Sequence, residues 1–144
     1  MLVKELLAQK GSGVVTVRPE LVVSSVLNDF RFHQIGALVV SVDGETLLGM
    51  LTERDVVLGL LLHGKRLLDM PVRAAMSTGV ATCDPGQSLA AILRTMTDRR
   101  ARHLPVVEAD RLVGVVSIGD VVKVRLDEAE LENRVLRDLY HSHR

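Results

Sequence analysis

The feature that most constrains this chain is that it is written twice. "VVTVRPELVVSSVL" at residues 14–27 returns as "VATCDPGQSLAAIL" at 80–93, with Thr16 over Thr82 and Pro19 over Pro85 at an offset of 66 residues. "ALVV" at 37–40 lies over "LPVV" at 104–107 at an offset of 67, and Gly49 lies over Gly114 at an offset of 65. The changes place one extra residue near the end of the second repeat's helix and two fewer in its hairpin, where loops tolerate length changes. A half of about 70 residues alone would be marginal, so the two copies are expected to share a core.

Both copies follow the same local order. A β-branched strand (Val14 to Val17; Val80 to Cys83) runs into a proline, and a helix follows with apolar residues at helical spacing. Those residues are Val22, Val26 and Phe30 in one copy, and Leu89, Ile92, Leu93 and Met96 in the other, where Ser88 is a plausible N-cap. A hairpin comes next, turning at "DGE" in the first copy and near "EAD" in the second, and a final helix opens after Thr52 or Ser117. The predicted fold class is α+β, built as β-α-β-β-α twice: a first repeat over 7–63, a linker over 64–79 with a helical turn at "PVRAAM", and a second repeat over 80–127. A helical extension over 128–144 carries Leu131, Val135 and Leu139 as one stripe, a packing face for the body or for another subunit.

Composition narrows the function. Eighteen basic and eighteen acidic side chains cancel, leaving no general positive field for nucleic acid or an anionic membrane. Phe30, Phe32 and Tyr140 are the only aromatic residues, too few for the stacking platforms of single-strand binders. A single cysteine, Cys83, excludes an intramolecular disulfide and a cysteine-based zinc site, and His33, His63, His141 and His143 show no paired ligand spacing. No signal peptide or membrane-length apolar run is seen, so a soluble, cytoplasmic protein is expected.

"GMLTERD" at 49–55 and "GVVSIGD" at 114–120 each set a hydroxyl residue three places before an aspartate, after a glycine. Three readings are open. As catalysis the motif is poor: there is no Gly-x-Ser-x-Gly elbow, and His103, a base that could serve either motif, is not duplicated with it. As structure it is a capping box, which satisfies amides at a helix start. As a binding site, it sets a hydroxyl and helix amides against phosphate and a carboxylate against ribose. Two details favour the third reading. A capping box normally uses Glu or Gln, yet Asp occurs both times, and Gly49 and Gly114 on the incoming strands permit close approach by a ligand or another backbone.

Taken together, "TVRP" with "TCDP" opening each half and "GMLTERD" with "GVVSIGD" closing it resemble a tandem pair of cystathionine β-synthase (CBS) domains, the Bateman module, of the stand-alone bacterial type. The resemblance implies two units about a pseudo-two-fold axis and two clefts for an adenosine-containing ligand such as AMP, ADP, ATP, NAD or S-adenosylmethionine. It assigns Asp55 and Asp120 to ribose, Thr52 and Ser117 to phosphate, and Thr16 and Thr82 to the base. Leu38, Pro105 and Ile118 become candidates to sandwich the adenine, and Arg102 and His103, with Arg54 in the first motif, to neutralise phosphate. The implied protein is no enzyme but a homodimeric regulator of another protein in trans, with "VVLGLLLHG" and the C-terminal helix as apolar dimer faces. An oligomerisation module with empty clefts, or a small hydrolase using His103 and Asp120, are the alternatives.

Overall fold

The computed structural model describes residues 1–11 and 13–143. Helix α1 (Val3–Lys10) is followed by the first unit: β1 (Thr16–Val17), α2 (Val23–Phe32), β2 (Ala37–Val40), β3 (Gly49–Thr52) and α3 (Glu53–His63). A 3-10 turn (Gly64–Asp69) and the short α4 (Val72–Ala75) lead to the second unit: α5 (Leu89–Arg99), β4 (His103–Glu108), β5 (Arg111–Ser117) and α6 (Ile118–Ser142). The fold is α+β with the expected repeat. β1 pairs parallel with β2, and β2 antiparallel with β3, setting Val17 beside Val40 and Val39 beside Met50. β4 and β5 form the matching hairpin.

The expected strand over Val80 to Cys83 is reduced to one parallel bridge between Cys83 and Val106. The cause is Pro105. Strand pairing sets Val40 beside Val17 and Val106 beside Cys83, which corrects the expected offset of 67 by one residue and puts Pro105 in the place of Val39. The Val39 amide donates to the Val15 carbonyl at 3.2 Å, whereas Pro105 has no N–H to give. The α2 stripe is also shifted by one residue. Val22 is the extended N-cap and stays exposed, so Val23 and Val26 are the buried pair, with Phe30 packed beside them.

Each unit has an aliphatic core, and each core includes a helix from outside its own repeat. Val3, Leu6 and Leu7 of α1 pack with Cys83, Leu89, Ile92, Leu104 and Val116 of the second unit. Val72 of α4 packs with Val17, Val26, Leu38 and Leu51 of the first. The backbone repeats the exchange: the Val3 amide donates to the Gln87 carbonyl at 2.9 Å, and the Val72 amide to the Leu21 carbonyl at 2.7 Å. Segment 64–79 is thus built into the core rather than spanning it, with Leu67 and Val72 fully buried. A third cluster joins the sheets, Val39 and Met50 meeting Leu112 and Val115. Burying a side chain such as Leu38 contributes about 1.5–3 kcal/mol.

The C-terminal stripe does not pack on the body. Leu131, Val135 and Leu139 are about half exposed, as are Val57 and Leu58 on α3. Among the described residues, no helix is long and apolar enough to cross a membrane.

Candidate functional site

The two motifs fold alike. β3 ends at Thr52, whose extended backbone caps α3, and β5 ends at Ser117, which caps α6 in the same way. Thr52 Oγ1 accepts from the Asp55 amide at 3.1 Å while Asp55 Oδ2 accepts from the Thr52 amide at 2.9 Å. Ser117 and Asp120 repeat both bonds at the same distances. These are complete capping boxes, so the expectation that aspartate is too short to close one is corrected: the extended cap residue brings its amide within reach of the shorter carboxylate. At the glycines it is the second of the two expected partners, another backbone, that comes close at Gly49, while at Gly114 a side chain does. A Cβ on Gly49 would lie 2.5 Å from the Ser77 carbonyl oxygen, and one on Gly114 2.7 Å from Leu7 Cδ2. The missing side chains make room for the protein itself.

What lies beyond the caps differs. Around Asp55 opens a cavity of about 980 Å³, walled by Thr52 to Asp55, by Ser77 to Ala81, and by Arg99 to His103 where α5 turns into β4. Four arginines, Arg54, Arg99, Arg100 and Arg102, face two carboxylates, Glu53 and Asp55, so the lining suits an anion. Ser77 Oγ donates to Asp55 Oδ1 at 2.7 Å. Around Asp120 the space is about 230 Å³, and Lys10 lies in its wall. Lys10 Nζ donates to Asp120 Oδ2 at 2.6 Å and to the Val115 carbonyl at 2.7 Å. Burial acts to raise the Asp120 pKa, but the bond and charge of Lys10, with the Ser117 amide, outweigh it and hold the carboxyl below its ordinary value.

His103 lines both cavities. Burial lowers its pKa below the ordinary histidine value, against the opposing pull of Glu53 and Asp120. Gly36 stands beside it, and a Cβ there would come within 3.2 Å of the imidazole.

The structure therefore brings Thr52, Arg54, Asp55, Arg102 and His103 to the larger cavity, and Ser117, Asp120 and His103 to the smaller. Thr16, Leu38, Thr82, Pro105 and Ile118 line neither. Leu38 and Pro105 are buried, Leu38 within the first core; Thr82 and Ile118 are exposed, and Thr16 is partly buried in β1. The sequence motifs assigned neither Ser77 and Lys10 nor Arg99 and Arg100 to a site. Ser77 and Lys10 lie outside both motifs. The clue at Arg100 is its left-handed backbone, φ 50°, which ends α5 and turns the following residues along the cavity.

The CBS domain family model matches residues 3–61 and again 72–127. The chain belongs to the CBS-domain family. Its CBS pair is 35% identical over 108 residues to the CBS domain-containing protein YhcV of Bacillus subtilis, covering 75% of this chain and 76% of that protein. Among solved structures it resembles the CBS-domain protein ATU1752 of Agrobacterium tumefaciens, with a TM-score of 0.83 and 41% identity over 87% of this chain and 99% of that one. Two more distant CBS structures contain adenosine compounds. The CBS pair of MJ0100, in complex with 5′-methylthioadenosine and S-adenosyl-L-methionine, has a TM-score of 0.78 at 20% identity; CBSX2, in complex with AMP, has 0.73 at 23%. Both alignments cover 89% of this chain and 98% of the other, and at these identities they show the shared fold.

Proposed function

We propose that this CBS pair is a regulatory module that binds an adenosine-containing nucleotide, AMP, ADP, ATP or NAD, in the cavity beside Asp55. The observation that carries the reading is that cavity: about 980 Å³, within the range of roughly 300–1,000 Å³ usual for small-molecule sites, and arginine-rich beside a capped helix start. Asp55 Oδ1 takes a ribose hydroxyl by displacing the Ser77 hydroxyl, while Thr52, the first amides of α3 and the surrounding arginines receive phosphate. His103 adds a neutral donor on the opposite wall. The adenosine compounds in the two distant CBS structures support the ligand class. The module acts in the cytoplasm as a homodimer, its exposed α3 and α6 faces covered by a second copy, and ligand binding alters that packing to regulate a separate protein rather than to catalyse a reaction.

Thermal denaturation of the purified chain with AMP, ATP and NAD tests this. A ligand at a hundredfold excess over its dissociation constant stabilises the folded state by about 2.7 kcal/mol. No shift with any of the three, together with no heat in calorimetry, would favour the oligomerisation module with empty clefts.

A further inference from the structure

The extra length of α1 is the starting point. Backbone pairing sets Leu2 against Ser88 and Pro71 against Val22, so the two leading helices start at matching positions, Val3 and Val72. Beyond their starts they diverge. α4 stops at Ala75, and Ser77 then pairs with β3, its amide donating to the Met50 carbonyl at 2.9 Å and its hydroxyl to Asp55. α1 continues to Lys10, just over one turn further. In the second unit the Lys10 ammonium meets the Val115 carbonyl, the counterpart of Met50, and the Asp120 carboxylate, here at Oδ2, the oxygen that also accepts from the Ser117 amide, rather than at the counterpart of Asp55 Oδ1.

A serine hydroxyl is neutral and rotates away at the cost of one hydrogen bond. The Lys10 ammonium neutralises Asp120 with a charge-assisted bond, and the lysine side chain forms part of the wall of the small cavity beside it. Its side chain is 32% exposed and that of Asp120 26%, so the pair lies at the rim of the cleft in partial contact with water. Lys10 and His103 are the titratable groups that face Asp120 across the remaining space, about 230 Å³, which is below the usual size of a small-molecule site.

We propose that Lys10 is the residue that restricts this CBS pair to one ligand: as an intramolecular plug on Asp120 it closes the second cleft, and a nucleotide binds only beside Asp55. This rests on the nucleotide reading above and fixes its stoichiometry and its site.

The test is isothermal titration calorimetry with AMP and ATP on the full chain and on Lys10→Ala, with Lys10→Arg as the variant that keeps the charge. One ligand per chain is expected for the wild type and for Lys10→Arg, rising to two for Lys10→Ala, with the second site removed again by Asp120→Asn. Two ligands bound by the wild type, or one still bound by folded Lys10→Ala, overturns the proposal. A ligand-free readout separates its failure from that of the nucleotide reading. The Asp120 carboxyl, followed by carbon NMR, should titrate at higher pH in Lys10→Ala than in the wild type. An unchanged titration overturns the plug itself, whereas a raised titration with no nucleotide bound by any variant leaves the ion pair standing and removes the ligand reading together with the stoichiometry built on it.

Discussion

The two halves begin from the same motif and end in different surroundings. At Thr52 and Asp55 the capping box opens on a wide, arginine-lined cavity, and the carboxylate oxygen not used by the cap accepts from the Ser77 hydroxyl. At Ser117 and Asp120 the same box, with the same bond lengths, meets the ammonium of Lys10 in a cavity about a quarter as large. The lesson is that a duplicated motif duplicates the cap, not the site. The cap needs only local backbone geometry. The site depends on what the neighbouring chain brings to the carboxylate.

The largest expected break in this comparison is in ligand affinity. Asp55→Asn removes a charged acceptor worth about 1.5–3 kcal/mol, so the dissociation constant for AMP or ATP should rise roughly 10- to 150-fold in calorimetry. Asp120→Asn should leave it within about twofold; equal losses from both would mean that both carboxylates hold ligand.

The two glycines give the next effect, in stability. Gly49→Ala drives its methyl against the Ser77 backbone, which is fixed in the sheet, and should cost about 1–3 kcal/mol in denaturant unfolding. Gly114→Ala meets only the end of the Leu7 side chain, which can change rotamer, and should cost less than about half as much. Equal costs would show that α1 is held on the second unit as rigidly as Ser77 is on β3.

The smallest effect is in acid. Lys10 and Ser117 hold the Asp120 pKa below its unfolded value, so the stability it contributes is fully present above about pH 4 and is lost as pH falls through the folded pKa. The stability difference between wild type and Lys10→Ala, about 1 kcal/mol or less at neutral pH, should therefore shrink in unfolding curves taken below pH 4. A difference that persists undiminished at pH 2 would assign the effect of Lys10 to packing rather than to its charge.

Much of this was legible in the residues. The offset of about 66 residues, the β-branched strands and the helical spacing gave the repeat order, because each signal is local and occurs twice. Val22 misled because the helix starts one residue later than its apolar pattern suggests, and an exposed N-cap valine reads like a core valine until the backbone is placed. The lost strand at Val80 to Cys83 was hidden by the alignment, which set Pro105 over Leu38; only the pairing of Val17 with Val40 and of Cys83 with Val106 puts Pro105 in the place of Val39, where it removes the ladder donor.

The sequence by itself determined two CBS units, their caps, and the pair of carboxylates at the two helix starts, since a cap is set by residues three apart. Only the tertiary structure decided that α1 crosses to the second unit, and that its extra turn carries Lys10 to the Asp120 carboxylate, whereas Ser77, beyond the shorter α4, meets that of Asp55. The residues that meet the carboxylates lie 22 positions from Asp55 but 110 from Asp120, and no local pattern joins groups so far apart. Burial of α1 against the second core brings them together, and that burial is a property of the packed molecule.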